Sequence, residues 1–202
     1  MKYNPDAHRR RTIRLRGYDY SQGGMYFITI CAENCKCLFG SITDGKMSTN
    51  DFGRAVKQCW NTIPFHFPHA TLDEFIVMPN HIHGIIALQE KDLPYKVSSD
   101  GAVGAKNFSP PRGTSRTIGS IVRGFKIGVT KWARSNTSAH EIWQRNYWEH
   151  IIRGEAELTN IREYIQNNPV RWIQDKLYRP SESGDAVRAK NFSPLPNSQE
   201  MR

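Results

Sequence analysis

The chain has 202 residues, 38% of them hydrophobic and 23% charged, with 28 Lys plus Arg against 19 Asp plus Glu for a formal net charge of +9. That length suits one domain with a real core rather than two, and the surplus of positive charge favours a polyanionic partner. No run approaches the roughly 18 apolar residues of a membrane span, and the polar, basic opening segment lacks the apolar stretch of a secretory signal.

Residues 1–19 read as a basic arm in which Arg9, Arg10, Arg11, Arg14 and Arg16 crowd together. Ile13, Leu15 and Tyr18 interleave with the charges, so the arm can dock in part while Arg14 and Arg16 lie on phosphates. The single domain is expected over 20–178. It opens with a strand at Met25–Cys31, β-branched and aromatic, punctuated before its start by Gly23-Gly24. A second strand follows around Leu38–Ile42, and Asp44-Gly45 reads as a hairpin turn. A helix from about Asp51 to Ile63 carries Phe52, Val56, Cys59, Trp60 and Ile63 on one stripe. Ser48, Thr49 and Asn50 are its candidate caps, and Pro64 its stop. Strands at Thr71–Met78 and His83–Leu88 come next, with Pro79-Asn80 as turn chemistry between them.

Residues 89–116 lose all periodicity and read as a disordered insertion rich in Pro, Gly, Ser and Lys. A helix from about Thr117 to Arg134 then buries Ile118, Ile121, Val122, Phe125, Val129 and Trp132. Arg116, Arg123, Lys126, Lys131 and Arg134 form its basic flank. A short strand is expected near Ile142–Trp148 or a little beyond. The last helix spans Glu155–Asn167, turns Leu158, Ile161 and Ile165 inward, and stops at Pro169. Residues 179–202 read as a disordered tail. Ala105–Pro110 recurs as Ala189–Pro194, Ala-Lys-Asn-Phe-Ser-Pro in both copies, too short and too isolated for a solenoid repeat. Cys31, Cys35, Cys37 and Cys59 lack the spacing of a paired zinc knuckle and are expected to be reduced thiols in a cytoplasmic protein.

Two segments can carry chemistry. In Pro79-Asn80-His81-Ile82-His83-Gly84, strand alternation turns His81 and His83 to one side and Ile82 to the other. Two imidazoles so placed can bind a divalent cation, although HxH also occurs as hydrogen-bonded strand histidines. In Glu163-Tyr164-Ile165-Gln166-Asn167-Asn168-Pro169, Tyr164 and Asn168 are four apart and share a helix face, which sets a phenol beside an amide oxygen. A half-buried tyrosine before a helix-ending Asn-Pro would look the same.

Taken together, Met78-Pro79-Asn80-His81-Ile82-His83, Trp148-Glu149-His150-Ile151-Ile152-Arg153 and Glu163–Val170 resemble the REP-associated tyrosine transposases. These are relatives of the single-tyrosine insertion-sequence transposases in the HUH nuclease superfamily. Arg14-Leu15-Arg16-Gly17-Tyr18-Asp19-Tyr20 followed by Tyr26-Phe27-Ile28-Thr29 is similar to the family's opening. The resemblance covers 10–88 and 117–178. It implies an α+β, ferredoxin-like fold with a central antiparallel sheet and helices on one face. It also implies His81 and His83 as metal ligands and Tyr164 as the nucleophile of DNA strand transfer. In related transposases the third ligand is a Gln four residues after the Tyr. Here Asn168, one methylene shorter, holds that place, with Asn167, Glu149 and His150 as rivals.

The implied reaction cuts and rejoins single-stranded, hairpin-bearing repeat DNA through a covalent 5′-phosphotyrosine. Mg²⁺ or Mn²⁺ fits the mixed His and amide ligation better than a closed zinc site. Arg123, Lys126 and Lys131 could track a hairpin stem, and Trp132, Trp143, Trp148 and Trp172 could stack on unpaired bases. A monomer is expected, with a homodimer as the other choice. Two readings remain open beside this one: a domesticated, non-cleaving DNA- or RNA-binding protein, and a metal-dependent hydrolase that forms no adduct.

Overall fold

The computed structural model describes residues 22–89 and 116–179. The arm with Arg14 and Arg16, both Ala-Lys-Asn-Phe-Ser-Pro copies, nearly all of the 89–116 insertion and all but the first residue of the 179–202 tail lie outside the described residues.

Among the described residues, six strands and four α-helices follow in order. They are β1 (Gly24–Cys31), β2 (Gly40–Thr43), β3 (Lys46–Thr49), α1 (Asp51–Asn61), α2 (Ile63–His66), β4 (Ala70–Val77), β5 (His81–Leu88), α3 (Ile118–Asn136), β6 (Trp148–Ile152) and α4 (Glu155–Asn167). The central sheet runs β4-β5-β1-β6, and every neighbouring pair is antiparallel. With the β2-β3 hairpin set aside, the path β1–α1–β4–β5–α3–β6 gives the ferredoxin-like strand order.

The hairpin includes a strand, β3, that the sequence pattern does not announce. Asp44 (φ 51°) and Gly45 (φ 70°) turn left-handed between β2 and β3, which matches the right-handed twist of a two-residue hairpin. Asn50 caps α1 by accepting from the Gly53 N–H at 2.9 Å. Pro64 does more than end α1: it lies in the first turn of α2, where its missing N–H costs nothing. Thr117 caps α3 through the Ser120 N–H. The strand expected near Ile142–Trp148 or a little beyond runs from Trp148 to Ile152; before it, the backbone pairs only through an isolated Ala32–Trp143 bridge.

Side-chain alternation sorts the sheet into two faces. Tyr26, Ile28 and Ile30 of β1 join Ile82 and Ile86 of β5 against α1 and α3, forming the main core around Trp60 and Phe125. Gly84 lies in this face, where a Cβ would sit 2.4 Å from the Trp60 ring. Phe27 and Ile85 point the other way and pack against Leu158, Ile161 and Ile165. The expectation of helices on one face is therefore corrected. α1 and α3 share one face, and α4 covers the other, because its inward stripe seats on the opposite-parity residues of β1 and β5.

Candidate active site

His81 and His83 lie on the α4 face of β5, both with no exposed surface, and their Nε2 atoms approach to 3.0 Å. Each ring is held from behind. His81 Nδ1 lies 2.8 Å from Asn80 Oδ1, and His83 Nδ1 lies 2.8 Å from the Thr29 hydroxyl on β1. Phe27 stacks on His83 at 5.3 Å, and Trp172 lies 5.9 Å from the His81 ring. Burial is the main reason that His81 stays neutral well below the ordinary histidine range, with the charge of His83 adding to it. Burial likewise takes His83 down to about 3.

α4 brings Tyr164 over this pair. Its hydroxyl is 3.5 Å from His83 Nε2, and its ring stands edge-on to Phe27. The helix is pinned at several points. Arg162 makes a bidentate pair with Asp73 at 2.8 and 2.7 Å, and Gln166 donates to Glu74 at 2.8 Å. Both acids sit where the β4–β5 register slips, between Leu72 and Phe75, so the irregularity aims them at α4. His150 of β6 pairs with Glu157 at 2.6 Å near the helix start.

After α4 the chain continues in tight turns to a 3₁₀ segment at Trp172–Gln174, and this return delivers a residue absent from the sequence-level candidates. Asp175 joins His81 and His83 so that one ligand atom from each lies within 4.8 Å of the others. Burial raises the Asp175 carboxyl above its usual range. Burial also raises the Tyr164 phenol, and the negative charge of Asp175 raises it further. A hydrogen bond from the Asn168 side chain pulls both groups the other way. Asn168 is itself buried, and its Oδ1 has no hydrogen-bond partner. An orphaned acceptor on a side chain that adjoins Tyr164 and Asp175, with Asp175 in turn clustered with two imidazoles, is a set that a divalent cation would satisfy.

The rivals fall into other places. Glu149 pairs in register with Ile28 and so faces α1 and α3, on the far side of the sheet. His150 shares the histidine face but is held by Glu157, and Asn167 is exposed. Trp143 packs on Phe39 and Phe125, and Trp132 on Phe52, both half-buried against the main core. Trp172 walls the site. Arg123, Lys126 and Lys131 line an open groove on α3, beside Arg134 and Arg145, on the face opposite Tyr164. Lys126 is committed within it: its Nζ donates to the Gln144 and Asn146 carbonyls at 2.7 and 2.9 Å. Burial lowers its pKa to about 8. Cys31, Cys35, Cys37 and Cys59 are all free thiols, and none takes part in a metal-ligand cluster among the described residues.

The fold and site define a ferredoxin-like domain that sets a tyrosine above a buried histidine pair. No family model matches the chain. A Haemophilus influenzae protein without a functional name is 52% identical over 182 residues, covering 88% of this chain and 97% of that one. A second H. influenzae protein, named as a REP-associated tyrosine transposase, is 31% identical over 153 residues, 76% of this chain and 74% of that one. The structure of a REP-associated tyrosine transposase bound to a REP hairpin shares the fold, with a TM-score of 0.55 at 20% identity over 92% of this chain and 98% of that one. The chain belongs to the REP-associated tyrosine transposases. None of the described helices is long and apolar enough to cross a membrane.

Proposed function

We propose that this protein cleaves and rejoins single-stranded DNA beside hairpin-forming repeats, with Tyr164 as the nucleophile. The observation that carries this reading is the Tyr164 hydroxyl 3.5 Å from His83 Nε2, at the edge of the His81–His83–Asp175 cluster. Tyr164 Oη attacks the phosphorus, the bond to the departing 3′-oxygen breaks, and the 5′-phosphate stays on the tyrosine. The phenol gives up a proton and the leaving 3′-oxygen takes one, so the step is balanced. Because the phosphotyrosine keeps the energy of the broken ester, a free 3′-hydroxyl can reverse it onto another strand.

A half-buried phenol near a carboxylate is a poor nucleophile by itself. Mg²⁺ or Mn²⁺ held by His81, His83 and Asp175, with the orphaned Asn168 oxygen as a further donor, would neutralise charge on the phosphate and on the forming phenolate. This ligand set adds Asp175 to the Asn168 oxygen that the family resemblance implies. The chain's own contribution is position: Arg162–Asp73 and Gln166–Glu74 fix α4, and Phe27 sets the rotation of the Tyr164 and His83 rings.

The hairpin-bound relative supports a hairpin as partner here. The exposed cations of the α3 groove suit a stem backbone, and Arg14 and Arg16 suit the flanking strand. A non-cleaving binding protein would need none of the convergence of His81, His83 and Tyr164. The test is to incubate the protein with labelled single-stranded DNA from the flanks of its own gene, with Mg²⁺ or Mn²⁺, and to look for a covalent adduct on a denaturing gel. Cleavage without an adduct would favour a simple metal-dependent hydrolase instead.

A further inference from the structure

Asn80 joins two parts of the site that lie far apart in sequence. Its side chain is fully buried, and Nδ2 donates to the Cys35 carbonyl at 3.1 Å and to the Leu177 carbonyl at 2.8 Å. A carbonyl can only accept, so the orientation of the amide follows from its surroundings: nitrogen toward the two carbonyls, oxygen toward His81. The oxygen lies 2.8 Å from His81 Nδ1. An amide oxygen also only accepts, so Nδ1 of His81 carries the proton. A neutral imidazole has one N–H, which leaves Nε2 with its lone pair directed into the cluster with His83 and Asp175.

The other end of the same amide holds the return segment. Leu177 N–H donates to Asp175 Oδ1 at 2.6 Å, closing a small turn, and the carbonyl of that turn is the one that Asn80 grips. Leu177 packs beneath it with Cys31 and Cys35. One side chain thus orients a histidine of β5 and seats the segment that supplies the carboxylate facing it.

We propose that Asn80 is a positioning residue that fixes His81 in the Nδ1–H tautomer and, through the amide proton it donates to the Leu177 carbonyl, latches the Asp175–Leu177 turn over the histidine pair, its other proton anchoring it to the Cys35 carbonyl. The consequence for metal binding rests on the proposed function above, whereas the tautomer and the latch are properties of the metal-free protein. Substitution separates the two roles. An aspartate at this place keeps an acceptor for His81 Nδ1–H but loses both donors; an alanine loses everything.

The experiment uses the full chain, metal-free, with ¹⁵N-labelled histidine at neutral pH. Long-range ¹H–¹⁵N correlation spectra should show His81 protonated on Nδ1 in the wild type and in Asn80→Asp, and tautomer averaging in Asn80→Ala. Amide hydrogen exchange at 175–178 should quicken in both variants. Mn²⁺ affinity should fall on the order of 10- to 100-fold in Asn80→Ala, the usual effect of losing a residue that orients a ligand. A wild-type His81 protonated on Nε2 overturns the tautomer assignment, and unchanged exchange at 175–178 in Asn80→Asp overturns the latch. If Asn80→Ala does not fold, these two measurements decide the matter without it. None of the readouts needs DNA, so failure of the strand-transfer reading would leave them standing.

Discussion

On β5, Ile82, Gly84 and Ile86 face α1 and α3, while His81, His83 and Ile85 face α4. The same alternation on β1 separates Tyr26 and Ile28 from Phe27 and Thr29. Among the described residues the α1/α3 side gathers 22 buried residues into one core, and the α4 side gathers five around a polar site. Two buried imidazoles are costly, and the α4 side offsets that cost with Asn80, Thr29 and the ion pairs that hold α4 rather than with apolar area. One face supplies stability and the other holds groups whose burial tunes their chemistry. Substitutions on the two faces should therefore fail in different ways.

Tyr164→Phe gives the largest effect. Removing the hydroxyl should lower cleavage on the order of 10³-fold or more and abolish the adduct. Folding and hairpin binding should hardly change, because the ring still packs on Phe27. Wild-type cleavage in this variant would rule out the mechanism. Trp60→Ala is the mirror image on the other face. Trp60 is 1% exposed and stacks on Phe75 at 4.4 Å, so its loss should cost about 3–5 kcal/mol in denaturant unfolding. Per folded molecule, cleavage should stay near normal. Equal damage to fold and chemistry in either variant would break the division between the faces.

Stability against pH sharpens the same contrast. His83 titrates near 3 when folded and near 6.5 when unfolded, so the unfolded chain binds more protons between those values. Its contribution is fully present above pH 6.5 and is lost as pH falls toward 3. Between pH 7 and 5 the loss should be about 2 kcal/mol for His83, and His81 shifts in the same direction. Asp175, with its raised carboxyl, works in the opposite sense at lower pH. Metal-free His83→Asn, measured by urea unfolding at several pH values, should show a flatter slope; an unchanged slope would contradict the buried, neutral His83.

The α1/α3 face was largely legible in sequence. The stripe of Phe52, Val56 and Trp60, and that of Ile118, Ile121, Phe125 and Val129, mark helices by period, and α4 begins and ends where its pattern does. His81, His83 and Tyr164 were legible through strand alternation, helix spacing and family resemblance. Asp175 was not, because it follows Pro169 on a 3₁₀ return where no periodic rule assigns a face. Asn80 read as turn chemistry, since its partners at Cys35 and Leu177 are set by tertiary contact alone. β3 was missed because Lys46–Thr49 is short, half-exposed and pairs only with β2.

The ligand question gives the next effect in size. Asp175→Ala should raise the Mn²⁺ concentration needed for cleavage about 10- to 100-fold, because a half-buried carboxylate brings both charge and an oxygen. Asn168→Ala should be milder, since water can take the place of an amide oxygen. Half-saturating Mn²⁺ measured for both variants and for His81→Ala ranks the ligands. If Asn168→Ala is the worse of the first two, the ligand implied by the family resemblance is the principal one and Asp175 serves the electrostatics of Tyr164.

The smallest effect lies on the outer surface of the α1/α3 side. Arg123, Lys131 and Arg134 run along one flank of α3 over roughly 16 Å of helix, a span that suits successive backbone phosphates. Among the described residues no carboxylate lines this groove. Lys126 is left out of the test because its Nζ holds the Gln144 and Asn146 carbonyls, so its removal would disturb the groove wall itself. The triple variant Arg123→Ala, Lys131→Ala, Arg134→Ala should weaken hairpin binding and lower the slope of log affinity against log salt by about 1 for each phosphate no longer neutralised. Cleavage of a short, unstructured strand should be unaffected, because the groove and Tyr164 lie on opposite faces of the sheet. Unchanged affinity and salt slope would place the stem elsewhere. A matching fall on the unstructured strand would mean that the groove acts on the site through the fold and not through the stem.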